Sequence, residues 1–117
     1  NPMIVHGQSQ GAIAQGIGQA LYEHTVYDDD TGQFLSGSFM DYCLPRASMI
    51  PDLNVGSNEV RCKTNELGVK GAGEGGCCGA PPAVVNAALD ALKEIGVTDL
   101  AMPLTPMRVW QAIQAAK

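Results

Sequence analysis

The residues with the clearest capacity for chemistry lie in a glycine-rich stretch from Gly68 to Ala80, with the sequence GVKGAGEGGCCGA. Its single carboxylate, Glu74, is flanked by glycines, so no neighbouring side chain hinders it from reaching a ligand as a general base. The glycines also expose backbone N–H groups that can surround an anion or a polar cofactor, and Lys70 adds a cation. Spacing alone leaves two alternatives: a cofactor-wrapping loop with a catalytic carboxylate, or a surface glutamate in a flexible turn.

The sequence argues against two phosphate-binding motifs and against a metal site in this stretch. Residues 71–76 match G-x-G-x-x-G, but the segment before them, KTNELGVK, is polar, whereas a dinucleotide fingerprint follows a buried strand. A P-loop would need Gly-Lys followed by Ser or Thr, which is absent. The four cysteines have no C-x-x-C spacing and therefore predict free thiols in a reducing, cytoplasmic compartment rather than a metal centre.

Composition narrows the function classes. The chain has 117 residues, 45% of them hydrophobic, and a formal net charge of −5. This length predicts one domain, and the absence of a basic stripe argues against nucleic-acid binding. No apolar run approaches the roughly 20 residues of a membrane span. The acidic segment 27–33, YDDDTGQ, is typical of a solvated turn and lacks the ligand spacing of an EF-hand.

Helix and strand patterns around the glycine-rich stretch predict a mixed fold. Apolar spacing and capping residues predict helices at 11–23, 81–95 and 106–116, with Gly96 and Thr105 as caps and with Val109, Trp110 and Ile113 buried in the last helix. Strands are expected in the later half of 34–44 and at 53–63, and residues 97–102 are expected to form a short strand or an extended link. The predicted fold class is therefore α+β, a small mixed sheet packed with about three helices. The chain opens without methionine, which suggests a fragment or a processed segment.

Four ordered segments resemble one known family. They are GQSQGAIAQGIGQALYE (7–23), MDYCLPRA (40–47), TNELGVKGAGEGGCCGAPPAVVNAALDAL (64–92) and MPLTPMRVWQAI (102–113). Together they resemble the C-terminal segment of the molybdopterin-binding large subunit of molybdenum hydroxylases, the xanthine dehydrogenase and aldehyde oxidase family. The likeness is strongest to large chains of the carbon-monoxide-dehydrogenase type. One departure is Gln10, which stands where the family often has histidine.

The resemblance implies a site and a cofactor. The run from Lys70 to Glu74 matches the family's K-G-x-G-E, which makes Glu74 the catalytic base beside the molybdenum. The cofactor-binding residues implied are Gln8, Lys70, Gly71, Ala72 and Gly73, and no side chain is expected to ligate the metal. The implied cofactor is molybdopterin, as the cytosine dinucleotide, with iron–sulfur clusters and FAD on other domains or subunits.

The resemblance also implies a function and partners. Residues 1–117 would form a C-terminal molybdopterin-binding subdomain of a longer chain, inactive alone, that serves oxidative hydroxylation of an aldehyde, an N-heterocycle or CO with oxygen from water. The expected partners are the remainder of the large subunit, the iron–sulfur and flavin subunits and a small-molecule substrate. The alternatives are a non-catalytic docking or assembly module that completes a partner's cofactor site, and a degenerate domain that has lost its chemistry.

Overall fold

The fold is helical and contains no sheet. The computed structural model describes all residues, 1–117, and contains three α-helices: α1 (Pro2–Leu21), α2 (Gly75–Leu92) and α3 (Pro106–Ala115). Short 3₁₀ turns occupy Ala47–Met49 and Lys93–Ile95. The only β-type pairing is an isolated antiparallel bridge between Tyr27 and Phe34. The predicted α+β class with its small mixed sheet is therefore wrong, although three helices are present.

The predicted strands fail for a common reason, which is that an extended segment becomes a strand only when a neighbour pairs with its backbone. Residues 50–62 run through the structure without a regular partner, and residues 97–102 form the extended link rather than the strand. In the segment 34–44 the Ser38 carbonyl accepts from Tyr42 N at 2.8 Å, so the chain turns there instead of extending. The acidic segment does form the predicted turn, with Gly32 at φ +70°.

Helix α1 begins nine residues before the predicted start. Asn1 caps it by accepting from Met3 N at 3.1 Å, and Pro2 occupies the first turn, where a missing N–H costs nothing. Its buried residues are small: Ala12, Gly16, Gly18 and Ala20. The larger apolar residues Ile13 and Ile17 are only half-buried. The face of α1 that packs is therefore the one that allows close approach.

Helix α2 begins at Gly75, six residues before the predicted start, so Pro81 and Pro82 lie inside the helix rather than in its first turn. An interior proline costs about 3 kcal/mol or more because it removes a backbone hydrogen bond. The segment GGCCGA before it has little helix propensity of its own. Packing against α1 must therefore stabilise this part of the helix.

The closest approach of α1 to α2 involves four small residues, here called the small-residue interface: Ala12, Gly16, Gly76 and Ala80. A Cβ added to Gly16 would lie 2.7 Å from the Ala80 Cβ, and one added to Gly76 would lie 2.8 Å from the Ile13 backbone N. No ordinary side-chain contact is that short. The glycines thus let the two helices approach more closely than any larger residue would allow.

The opposite end of the molecule holds a conventional apolar cluster, here called the aliphatic cluster. Its buried members are Val97, Leu100 and Leu104, and the residues packed against them include Leu21, Val85, Leu89, Leu92 and Val109. Gly96 adopts φ +89° and ends the helical segment, and Thr105 caps α3, as the sequence predicted. Trp110, predicted to be buried, is 57% exposed.

The chain is extended and incompletely packed. Its radius of gyration is 18.0 Å, against about 13 Å for a compact domain of this length. Its accessible surface is 8767 Å², against about 6,100 Å² for a compact monomer of 12.2 kDa. Large apolar side chains such as Phe39, Met40 and Leu67 are almost fully exposed. None of the three helices combines the length and apolarity needed to cross a membrane.

Candidate functional site

Two segments that are more than 60 positions apart in sequence meet at the amino-terminal end of α2. Gln8 lies on α1, and its Nε2 is 3.7 Å from the position that a Cβ would occupy on Gly73. Glu74 follows Gly73 directly and is the N-cap residue of α2. The structure therefore brings together Gln8, Gly73 and Glu74, three of the residues expected at the site.

An open groove lies beside this meeting point. Its volume is about 450 Å³, and its walls come from α1, the glycine loop and the extended segment near residue 55; the lining residues are Ser9, Ile13, Asn54, Val55, Gly56, Ala72, Gly75 and Gly76. Three of the eight are glycines, so much of the wall is bare backbone. Such a wall suits a large polar ligand that is held by main-chain groups.

The first turn of α2 supplies N–H donors to this wall. The first four N–H groups of an α-helix have no partner within the helix, and the positive end of the helix dipole lies there. Gly75 and Gly76 are in this turn and line the groove. The geometry therefore favours an anionic or hydrogen-bond-accepting group at this end of the groove.

Glu74 differs from an ordinary N-cap residue. Its backbone carbonyl accepts from Cys78 N at 3.1 Å, but its side chain makes no capping hydrogen bond. Most capping side chains are occupied in satisfying an N–H group of the helix. The carboxylate of Glu74 is exposed and remains free to act on a ligand.

The entry to the glycine loop is fixed by an amide clamp. Asn65 accepts from Val69 N at 3.1 Å and donates to Val69 O at 3.0 Å, so its side chain satisfies both backbone groups of that residue. Gly68 lies inside this turn at φ +69°, a conformation that favours glycine. The chain therefore enters residues 70–74 in a defined direction.

Cys62 also lies in this turn, and its backbone N donates to Gly68 O at 3.0 Å. Its Sγ is 3.0 Å from Thr64 Oγ1, and this hydrogen bond lowers the pKa of the thiol. All four cysteines are free thiols. No group of three or more His, Cys, Asp or Glu side chains converges to hold a metal ion.

Two polar contacts hold the end of α1 that is remote from the site. Tyr42 donates its hydroxyl to Glu23 Oε2 at 2.5 Å, which raises the pKa of Tyr42. Arg108 donates to Met102 O at 2.8 Å and lies 3.2 Å from His24 Nε2. These contacts connect the segment 40–47 and helix α3 to α1, the helix that carries Gln8.

The remaining predicted site residues are distributed along the same loop. Ala72 lines the groove, and Gly71 has open space where a side chain would be. Lys70 is exposed and makes no ion pair within the chain. Sequence reasoning missed Asn65 and Gly76; the Asn-to-Gly turn spacing hints at the first, but only the packing of α1 on α2 reveals the second.

Comparison with known proteins shows the family of the chain. A family model described as a molybdopterin cofactor-binding domain matches residues 1–51. The chain is 40% identical over 112 residues to the nicotine 6-hydroxylase large subunit of Paenarthrobacter nicotinovorans, covering 96% of this chain and 14% of that protein. It is 33% identical over 114 residues to the carbon monoxide dehydrogenase large chain of Hydrogenophaga pseudoflava, covering 97% of this chain and 14% of that protein.

Solved structures agree in fold. Quinoline 2-oxidoreductase from Pseudomonas putida 86 superposes with a TM-score of 0.92 at 43% identity, covering 97% of this chain and 14% of that chain. The Cu,Mo-CO dehydrogenase in its carbon-monoxide-reduced state gives a TM-score of 0.93 at 30% identity, covering 99% and 14%. The chain thus spans about one seventh of the length of the relatives it matches.

Proposed function

The chain belongs to the family of molybdopterin-binding large subunits of molybdenum hydroxylases, and from this premise we propose that it forms one wall of the cofactor site and supplies Glu74 as the general base. The observation that carries the proposal is the meeting of Gln8, Gly73 and Glu74 beside a groove of about 450 Å³. In this proposal residues 1–117 act as one molybdopterin-binding subdomain of a longer subunit.

The residues at the groove fit a molybdopterin. Part of the wall is glycine backbone, and side chains at those glycines would fill space that a flat polar cofactor needs. The first turn of α2 provides N–H donors for a phosphate, and the amide of Gln8 can both donate and accept. Lys70, Gly71 and Ala72 complete the loop. We propose that the cofactor is the cytosine dinucleotide form of molybdopterin, and that iron–sulfur clusters and FAD lie on other domains or subunits.

When bound, the cofactor supplies the two-electron redox centre for hydroxylation. The chain's own contribution is Glu74, whose carboxylate is not used as a helix cap and can take up the proton released as the oxygen of water is transferred to substrate. The N-cap position fixes the backbone of Glu74 against α2, so its carboxylate has a defined range. Gln8 and the glycine backbone orient the cofactor with respect to that carboxylate.

The chain alone does not enclose the site. Gln8, Lys70 and Glu74 are all exposed here, and a general base works best where water is excluded. The remainder of the large subunit must therefore provide the other walls. This agrees with an accessible surface about 2,700 Å² larger than that of a compact monomer of this mass.

Substrate and partners follow from the same reasoning. Relatives with this segment are named for nicotine, for carbon monoxide and for quinoline, so the segment itself does not set the substrate. We propose an aldehyde, an N-heterocycle or CO as the substrate class. Iron–sulfur and flavin subunits would accept the electrons. The cytoplasmic location expected from the cysteines stays a prediction.

The test is Glu74→Gln in the full-length subunit assembled with its partners. We expect molybdenum content to stay at the wild-type level and turnover to fall by about 10³-fold or more, since loss of a general base costs about 10²–10⁴. The measurement is metal analysis with steady-state kinetics on aldehydes, nicotine, quinoline and carbon monoxide. Glu66→Gln, in the exposed turn before the loop, is the matched control and should turn over normally.

A docking or assembly module is the second candidate, favoured by the exposed side chains of Phe39, Met40 and Leu67. The same experiment separates the two. Normal turnover by Glu74→Gln, with molybdenum retained, would exclude the base and leave the docking role. The degenerate-domain reading is disfavoured by the intact Glu74 and its glycine setting, and it predicts no molybdenum in either variant.

A further inference from the structure

Gly76 occupies an unusual position, because it lies directly against the backbone of α1. A Cβ at Gly76 would be 2.8 Å from the Ile13 backbone N, 2.9 Å from Ile13 Cγ1 and 3.0 Å from Ala12 Cβ. The closest of these atoms belongs to the main chain of a helix and cannot swing aside. Any larger residue at position 76 must therefore push the start of α2 away from α1.

Conformational freedom does not explain this glycine. The positive-φ glycines are Gly32, Gly68 and Gly96, so the backbone of Gly76 is one that alanine adopts freely. Alanine is also the better helix former. Within the helix pair, the contact with α1 is thus the feature that requires glycine at this position, which also lines the groove.

A second contact makes the arrangement rigid. Four residues further along each helix, a Cβ at Gly16 would lie 2.7 Å from Ala80 Cβ and 2.8 Å from Pro81 Cδ. Two such contacts, about one helical turn apart, fix both the spacing and the rotation of α2 on α1. By contrast, Gly75 and Gly79 have nothing within 4 Å of an added Cβ.

The contact at Gly76 lies close to the site on both helices. Glu74 is two residues before Gly76, and Gln8 is one helical turn before Ala12. Besides the direct approach of Gln8 to Gly73, the two helices that carry Gln8 and Glu74 are therefore joined by the contact at residues 12, 13 and 76. A shift of α2 at this contact changes the distance between the carboxylate and the α1 side of the groove.

We propose that Gly76 is a positioning residue, whose missing side chain sets the location of Glu74 relative to Gln8 and the cofactor wall. This inference rests on the proposed function of Glu74. Relieving the contact at the Ile13 N requires a movement of several tenths of an ångström or more. A misplacement of about 1 Å at a reacting group can cost about 10²-fold in rate.

The test compares Gly76→Ala and Gly79→Ala in the full-length holoenzyme. For Gly76→Ala we expect kcat to fall by about 10–100-fold with KM for substrate within about twofold of wild type. Amide hydrogen exchange measured by mass spectrometry should become faster in residues 73–78. Gly79→Ala lies in the same helix with open space around it, and both measurements should match wild type.

A further pair of variants separates positioning from simple destabilisation. Gly16→Ala disturbs the same helix pair farther from Glu74, so it should lower the melting temperature at least as much as Gly76→Ala while reducing kcat less. If Gly76→Ala does not accumulate, the double variant Ile13→Ala with Gly76→Ala replaces it. The double variant removes the contact with Ile13 Cγ1 but keeps the contact with the Ile13 backbone N. It should then show kcat at least about tenfold below Ile13→Ala alone.

Three results decide the inference. The positioning role would be overturned by wild-type kcat and wild-type exchange in Gly76→Ala. It would also be overturned if the double variant had the same kcat as Ile13→Ala. In either case an inactive Glu74→Gln would leave the proposed function standing. Equal losses of kcat in Gly76→Ala and Gly16→Ala at equal melting temperature would also overturn the positioning role. Normal turnover by Glu74→Gln would instead remove the proposed function.

Discussion

The two ends of this molecule are held together by opposite means. At the site end, the small-residue interface brings α1 and α2 together through Gly16 and Gly76, where there is no side chain at all. At the other end, the aliphatic cluster buries Val97, Leu100 and Leu104 in the ordinary way. The first region buries little apolar area and fixes geometry, whereas the second buries branched side chains and contributes stability.

The comparison shows that the two regions are sensitive to opposite substitutions. Atoms added to the small-residue interface force two backbones apart, and atoms removed from it cost little. Atoms removed from the aliphatic cluster leave a cavity. A site that depends on the mutual position of Gln8 and Glu74 benefits from the first kind of packing, because main-chain contacts have no rotamers through which to relax.

The largest effect on stability is expected from Leu104→Ala. Leu104 is 4% exposed, and its N–H donates to Ala20 O at 2.6 Å, so the residue joins the cluster to α1. Truncation should lower the local free energy of opening by about 2–4 kcal/mol, measured by amide exchange of residues 97–109 in the full-length subunit. Met107→Ala, at a side chain 62% exposed, is the control. Equal exchange in both variants would contradict the distinction between the regions.

A smaller loss of stability is expected when a methyl group is added to the small-residue interface, in Gly16→Ala. The new methyl group would meet Ala80 Cβ and Pro81 Cδ, and such overpacking costs about 1–3 kcal/mol. Combining it with Ala80→Gly should restore part of the loss, because only the Pro81 contact remains. Thermal unfolding of the subunit measures both. Gly11→Ala, at a position with open space for a side chain, is the control and should be neutral or slightly stabilising. If the double variant recovers no stability, the close approach of the helices is not the cause of the loss in Gly16→Ala.

The smallest effect is expected from Tyr42→Phe, which removes the hydrogen bond to Glu23 near the carboxyl end of α1. This hydrogen bond, with a smaller contribution from desolvation, raises the folded-state pKa of Tyr42 above its ordinary value of 10.0. The folded state therefore holds the proton more tightly, so the contribution is complete below pH 10 and is lost as pH rises through the folded pKa. Thermal unfolding should show a lower melting temperature for the variant at pH 7 and a smaller difference above pH 10.

The control for this prediction is Tyr27→Phe, because Tyr27 is 59% exposed and its ring packs on Phe34 without a hydrogen bond from its hydroxyl. It should leave the melting temperature unchanged at both pH values. A difference between wild type and Tyr42→Phe that is constant from pH 7 to above pH 10 would mean that the Glu23 contact does not control the titration.

How much could be predicted from sequence depends on how local each feature is. Gly96 and the Thr105-Pro106 start of α3 were predicted correctly, because capping and left-handed glycine are decided by a few neighbouring residues. The start of α2 was predicted six residues too late, since GGCCGA has no helical signal of its own. The sheet was wrong because extended sequence patterns do not specify a partner strand.

The sequence by itself determined the family to which the chain belongs, and it singled out the residues that we propose carry the chemistry. The glycine-flanked carboxylate and its ordered neighbouring motifs are contiguous features that need no folding to be recognised. Only the tertiary structure decided that Gln8 lies beside Gly73, that Glu74 caps a helix without using its side chain, and that Gly76 rests on the backbone of α1. The physical reason is that these three facts depend on the packing of two helices more than 50 residues apart in sequence. The close packing there is possible because Gly16 and Gly76 have no side chains.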